Sequence, residues 1–286
     1  MMAMMTVHAP AKVNMALDIT GKRADGYHLM RMVNFTCDVA DTLTFEAADD
    51  LTLSCNDPAV PVGDGNLILK AAGALKSVTG FNGGARISLI KRIPMQAGLA
   101  GGSADCAAAL KGLNQLWQLG LSRDDLANIG LQLGADVPYC LDNRPALVEG
   151  IGEIITPLDP FPDYHVVIVK PDINVSTPAA FDAFDRAKNV SHPDIDGLLS
   201  AIAGDARADI AALAGDAFEP VIFRQYPSIQ TVKEKLLAAG AAFALMSGSG
   251  STVAGYFDDL EKAKAAANAF TSDDLCFVTR IVKERK

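Results

Sequence analysis

The sequence predicts an α+β chain of two domains, residues 1–157 and 158–286. Three observations carry that prediction. A glycine-rich turn at 94–105 joins a strand pattern at 85–91 to a strong helix signal. Prolines 157, 160 and 162 crowd six residues and mark a boundary. Beyond them, with a helical insertion reaching about residue 223 set aside, the order is strand, helix, strand, strand, helix, strand. That is the split β-α-β pattern of a ferredoxin-like domain.

Each element has a local reason. Residues 6–20 alternate as a strand kinked at Pro10, with Lys12 and Asn14 projecting from one face. On this segment alone that face reads as solvated. A turn cluster at 21–26 leads into Tyr27-His28 and strand-like sequence to residue 46. Residues 64–79 hold a helix with Asn66 near its start as a cap. The strand at 85–91 ends on Lys91, which either serves a ligand of the glycine turn or is an exposed strand end. After the turn, Cys106, Leu110, Leu113 and Trp117 recur at i, i+4, i+7 and i+11 and make one apolar stripe. Ser122 with Asp125 starts a further helix in the manner of a capping box, and Gly134 stops it. Asp136 then sits in a turn, Gly134-Ala135-Asp136-Val137-Pro138.

Residues 146–149 and 153–156 flank Gly150-Ile151-Gly152 as a hairpin. The second half reads strand 164–170, helix 178–187, helix 229–239, strands 242–246 and 252–257, helix 260–270 and strand 275–282. A Gly/Ser loop, Ser247-Gly248-Ser249-Gly250-Ser251, joins the two central strands.

Composition excludes some partners. Half the 286 residues are hydrophobic and 21% are charged, a globular profile. The net charge of −9 comes without a basic patch, which argues against nucleic acid and anionic membranes but not against a nucleotide. Five cysteines form no Cys-x-x-Cys pair and no zinc spacing, as expected of thiols in a reducing cytosol. Residues 1–7 are apolar but lack a basic n-region and a signal-length core, and no run approaches a membrane span. The expectation is a soluble cytoplasmic protein.

The glycine turn opening a helix exposes unpaired backbone N–H groups at the positive end of the helix dipole, the physics of a phosphate site. The alternative is a tight structural turn without a ligand. Neither G-x-x-x-x-G-K-[ST] nor G-x-G-x-x-G occurs, so the Walker A loop and the dinucleotide and protein-kinase fingerprints are set aside.

What remains, P-x-x-x-G-L-x-G-G-S-A, resembles the phosphate loop of the GHMP kinases, the family of galactokinase, homoserine kinase, mevalonate kinase and phosphomevalonate kinase. The family more often has glycine at Ala97 and Ala100. The N-terminal strand, G-A-D-V-P and the Gly/Ser loop follow the family in order, and T-P-x-x-F at 177–181 matches one branch of it, which Tyr27-His28 also marks. The run A-P-A-K-V-N-M-A-L-D-I-T-G-K-R-A-D-G-Y-H-L at 9–29 resembles the branch acting on 4-diphosphocytidyl-2-C-methyl-D-erythritol in non-mevalonate isoprenoid synthesis. At Asn34 that branch often has an aromatic residue.

The resemblance implies an N-terminal domain like domain 2 of ribosomal protein S5, beside the ferredoxin-like one. It implies ATP as co-substrate with Mg²⁺, for which Ser103 is the candidate ligand. Lys12 and Asp136 become the catalytic pair, Asp136 as base and Lys12 orienting it. Nucleotide binding falls to Asn66 by the adenine, Lys91, Pro94, Gly98, Leu99, Ala100, Gly101, Gly102, Ser103 and Ala104. For the acceptor, Tyr27 stacks on the cytosine, His28 hydrogen-bonds its edge and Phe181 covers the other face, unless Phe181 is simply core. Thr177, Gly248 and Asn14 complete that set, Asn14 near the erythritol end. One crevice is expected to gather these groups, with the Gly/Ser loop opposite the phosphate loop. Partners are then ATP and a cytidine diphosphate-linked methylerythritol, with no nucleic acid and no membrane, in a monomer or weak homodimer. Two rival readings stay open: another GHMP kinase acting on mevalonate, homoserine or a sugar, and a non-catalytic metabolite sensor of the same fold.

Overall fold

The computed structural model describes residues 4–188, 190–270 and 274–283. Residues 1–3 of the apolar N-terminal stretch lie outside the described residues. The chain passes more than once between two compact units. The first takes the described residues of Met1–Lys12, Val39–Met95 and Ala100–Asn143; the second takes those of Val13–Asp38, Gln96–Leu99 and Arg144–Lys286. Two long strands, β1 (Met5–Lys22) and β2 (His28–Ala48), each give part of their length to each unit.

In the first unit these strands are joined by β3 (Leu51–Cys55), α1 (Leu67–Thr79), β4 (Gly84–Ile90), α2 (Gly101–Leu116), α3 (Arg123–Leu133) and α4 (Val137–Asp142). β4 pairs antiparallel with β2 from Thr42 opposite Ile90 to Ala48 opposite Gly84, and parallel with β3. Leu43, Phe45, Ile87 and Leu89 alternate inward and are buried, as are Ile68, Ala72 and Leu75 of α1 and Leu110 and Leu113 of α2. Gly112 lets α2 approach the sheet, since a Cβ there would run into the Phe45 ring.

Helix starts follow local chemistry. The Asn66 side chain accepts from the Ile68 N–H at 2.9 Å, and Ser122 with Asp125 forms a reciprocal capping box. Gly134 ends α3 in extended backbone, and Asp136 occupies the N-cap position of α4. Sequence periodicity gave no sign of α4, because six residues are too few to show a 3.6-residue repeat.

The second unit continues through β5 (Ala146–Gly150), β6 (Ile154–Pro157), β7 (His165–Lys170), α5 (Thr177–Arg186), α6 (Ile195–Ala203), α7 (Arg207–Leu213), α8 (Glu219–Gln225), α9 (Pro227–Ala238), β8 (Phe243–Met246), β9 (Val253–Phe257), α10 (Leu260–Ala267) and β10 (Leu275–Val282). Its sheet runs β10-β7-β9-β8, every pair antiparallel. Numbered along the chain, these are the fourth, first, third and second strands of the split β-α-β pattern, as the sequence predicts. The hairpin β5–β6 joins β2 with Met30 opposite Gly150. The described residues include no helix long and apolar enough to cross a membrane.

Candidate active site

Within the first unit, α2 stands apart from α1 and α3. Those helices are capped by side chains, whereas the N-cap of α2 is Ala100, which has no side chain able to accept. Its first turn is Gly101-Gly102-Ser103-Ala104, without an acidic residue. The first-turn amides of α2 thus lack a side-chain cap, and with the helix dipole behind them they have the chemistry to receive an anion. Ala100 itself adopts a left-handed φ of 53°, a conformation that glycine adopts without strain.

The turn bearing Asp136 lies beside that helix end. A Cβ on Gly134 would sit 3.6 Å from Ser103 Oγ, and α2 packs against both α3 and α4. Asp136 Oδ1 is 3.5 Å from Lys12 Nζ. The lysine side chain is 6% exposed and the carboxylate 33%, so an enclosed cation stands behind a carboxylate that solvent and ligands can reach. Lys12 and Asn14 are both buried, contrary to a solvated strand face: the sequence alternates along β1, but both faces of the strand are covered. The nearby thiols are inert. Burial raises Cys106 to about 12, with Asp105 adding to the shift, and burial with the Asp136 charge pushes Cys140 higher still.

Lys91 is held on the other flank of the helix end. It is not an exposed strand end: its side chain is 7% exposed, and Nζ lies 2.5 Å from Asp41 Oδ2 and 2.7 Å from Asp105 Oδ2. Asp41 Oδ1 also accepts the N–H groups of Arg92 at 2.5 Å and Ile93 at 2.8 Å, fixing the chain as it leaves β4. Burial works against the Lys91 charge, but the two carboxylates outweigh it and raise its pKa. Burial raises Asp105 to about 7; Lys91 opposes that shift and Asp41 adds to it. Asp105 Oδ1 is buried without a hydrogen-bond partner.

In the second unit the Gly/Ser loop meets the Gln96–Leu99 segment directly. Ser247 Oγ donates to the Gly98 carbonyl at 3.0 Å, and Thr252 N–H donates to the Ala97 carbonyl at 3.3 Å. Gly98 has a φ of 73°, and a Cβ there would run into the Ser247 carbonyl oxygen, so this position demands glycine twice over. Asn14 N–H donates to Ser247 Oγ at 3.2 Å, and its side-chain amide donates to Asn34 Oδ1 at 2.6 Å. Thr177 and Ser249 pair through their hydroxyls at 2.9 Å, tying the start of α5 to the loop next to Gly248.

The aromatic group is also assembled. His28 stacks on Phe181 with centroids 4.4 Å apart and planes 15° apart, and Phe181 meets Phe218 edge-on. Tyr27, beside them in the chain, is 58% exposed. Within the first unit the structure thus brings together Asn66, Lys91 and Asp136 as neighbours of α1 and α2, and within the second it brings together Asn14, His28, Thr177, Phe181 and Gly248.

Sequence reasoning gave no role to Asp41, Asp105 and Asp185, and noted Asn34 only as a departure from the branch, without its bond to Asn14. Asp105 lay inside the quoted loop but carried no signal of its partner 14 residues earlier. Asp185 had one, since its i+4 spacing from Phe181 places both on one helical face. Among the described residues no three His, Cys, Asp or Glu side chains converge on a possible metal position. Asp105 is engaged by Lys91 and Asp136 by Lys12, so the donors do not make a protein cage for Mg²⁺. An ion held chiefly by phosphate oxygens needs few protein ligands, and the Ser103 hydroxyl is compatible with that.

The chain is similar to known proteins along nearly its whole length. Residues 66–144 match the GHMP kinases N terminal domain and residues 190–273 match GHMP kinases C terminal. A curated 4-diphosphocytidyl-2-C-methyl-D-erythritol kinase of Lachnoclostridium phytofermentans is 42% identical over 94% of this chain and 92% of its own length. One of Pelotomaculum thermopropionicum is 42% identical over 98% of this chain and 99% of its own. A crystal structure of 4-(cytidine 5'-diphospho)-2C-methyl-D-erythritol kinase superposes with a TM-score of 0.82 at 32% identity, covering 97% of this chain and 99% of that one. Homoserine kinase of Cytophaga hutchinsonii, at 20% identity and a TM-score of 0.79, shares the fold over 98% of this chain and 96% of its own. With relatives this similar along nearly its whole length, the chain belongs to the GHMP kinase family.

Proposed function

We infer that this chain is an ATP-dependent kinase that phosphorylates the 2-hydroxyl of 4-diphosphocytidyl-2-C-methyl-D-erythritol, a step of non-mevalonate isoprenoid precursor synthesis. The observation that carries this reading is the Lys12–Asp136 pair beside a helix end without a side-chain cap. Support for the acceptor comes from the name borne by relatives 42% identical over nearly the full length.

A kinase of this kind must hold a polyphosphate, align a hydroxyl with the γ-phosphorus and manage that hydroxyl's proton. The amides of the 101–104 turn take the phosphates. Asp136 accepts the proton as the acceptor oxygen bonds to phosphorus and the bond to the β–γ bridging oxygen breaks, ADP leaving. A positioned base of this type contributes about 10²–10⁴-fold. Lys12 orients the carboxylate and balances charge on the moving phosphoryl group. The helix dipole supplies only about 0.3–2 kcal/mol, so Mg²⁺ travelling with ATP, with Ser103 as its protein ligand, provides the remaining neutralisation.

Asn66 and Lys91 border the nucleotide in this reading, with Pro94, Gly98, Leu99 and Ala100 shaping the loop. Tyr27, His28 and Phe181 bind the cytosine, while Asn14, Thr177 and Gly248 attend the rest of the acceptor. The division into residues 1–157 and 158–286 goes with it, supported by family matches on either side of residue 157. A cytoplasmic monomer or weak homodimer is part of the same reading, and its five thiols in no disulfide accord with that location.

The test offers ATP with the cytidyl acceptor, mevalonate, homoserine and galactose side by side and follows ADP release. Turnover confined to the cytidyl acceptor is the expected result. Its absence, or faster turnover of another acceptor, would reject the assignment.

A further inference from the structure

Asp185 stands on α5 one helical turn beyond Phe181. Its Oδ1 lies 2.7 Å from His28 Nε2 and its Oδ2 lies 2.5 Å from Lys22 Nζ, while the His28 ring rests on Phe181. The bond from Lys22, and after it the one from His28, holds the Asp185 carboxyl below the usual carboxylate range. An ionised carboxylate only accepts and an ammonium only donates, so the hydrogen between Asp185 and the ring belongs to Nε2. In the neutral ring Nδ1 is then the acceptor, and it makes no hydrogen bond among the described residues.

We propose that Asp185, braced by Lys22, is a positioning residue for base selection: it locks His28 in the Nε2–H form, so that Nδ1 accepts from a base bearing an exocyclic amine. This rests on the reading above, in which His28 meets the edge of the cytosine. Cytosine presents an N4 amine donor where a uracil presents an O4 acceptor. A fixed lone pair on Nδ1 therefore attracts the first and repels the second. Lys22 has a defined part: by holding Oδ2 it leaves Oδ1 alone for the ring.

Asp185→Asn tests this, because an amide has a single acceptor oxygen. Lys22 claims that oxygen, the amide NH₂ turns to Nε2, and the ring hydrogen moves to Nδ1. The measurements are kcat and KM for the cytidine diphosphate acceptor and its uridine counterpart, and ¹⁵N spectra of His28. They are made on the parent, on D185N, and on D185N with Lys22→Met. The parent is expected to prefer cytosine. D185N raises KM for the cytidyl acceptor roughly 10–100-fold, with kcat nearly unchanged, and narrows the preference by a similar factor. Adding K22M frees the amide oxygen for Nε2–H and restores most of the preference.

The spectra should show Nε2–H in the parent and Nδ1–H in D185N. A D185N enzyme with the parent's KM and base preference, or a parent ring carrying its hydrogen on Nδ1, overturns the proposal. Failure of the underlying reading looks different. His28→Ala would then leave KM for the cytidyl acceptor unchanged while the ¹⁵N shift in D185N still appeared, and the base-selection role would fall with it.

Discussion

Two lysine–carboxylate groupings in the first unit use the same chemical parts for opposite ends. Lys91 is enclosed by Asp41 and Asp105, every side chain at most 7% exposed, with two carboxylates for one ammonium. Lys12 is equally enclosed, yet its partner Asp136 is one-third exposed and stands 3.5 Å away, beyond a normal hydrogen bond. The first grouping also takes two backbone N–H groups and fixes the chain as it leaves β4. The second leaves its carboxylate within reach of solvent. Closure makes a brace, and partial opening suits Asp136 to the role of base proposed above.

Exchanging the effects of two variants would break that contrast. Asp136→Asn is expected to lower kcat by about 10²–10⁴-fold, while urea unfolding moves far less than in the other variant. Lys91→Met leaves two buried carboxylates without their cation and should cost about 3–5 kcal/mol of unfolding free energy, read from the urea midpoint and slope. If D136N lost the stability and K91M lost only turnover, the assignment of brace and base would be reversed.

The parts legible in the sequence are those whose cause is local. Asn66 caps the helix two residues away, Ser122 and Asp125 close a box within four residues, and the Gly/Ser loop separates strands that pair with each other. The four-strand order of the second unit followed from element order alone, because the split β-α-β pattern has few ways to close. Lys12 and Asp136 were named through resemblance, and no local feature announces a pair 124 residues apart (136 − 12). The burial of Lys12 and Asn14 was hidden for a related reason: alternation along one strand does not say that the polar face is also covered. Asp41 illustrates the limit most clearly. It is one acidic residue in a strand pattern, and its role depends on a lysine 50 residues later.

A pH series sharpens the contrast by showing how tightly the brace is sealed. Asp105 has its carboxyl raised from an ordinary 3.8 to about 7, first by burial, with Lys91 opposing and Asp41 reinforcing the shift. A carboxyl raised in the folded state binds its proton more tightly there than in the unfolded chain. Its contribution to stability is therefore complete below about pH 4 and is lost as pH rises through about 7. The amide in Asp105→Asn cannot ionise, so the difference in unfolding free energy between the parent and this variant should grow steadily more unfavourable to the parent across that window. The slope should not exceed about 1.4 kcal/mol per pH unit. Chemical unfolding of both proteins at intervals from pH 4.5 to 8 measures it. Parallel curves would mean that water or a donor reaches Asp105 Oδ1 in solution, and that the Lys91 grouping is as open as the Lys12 pair.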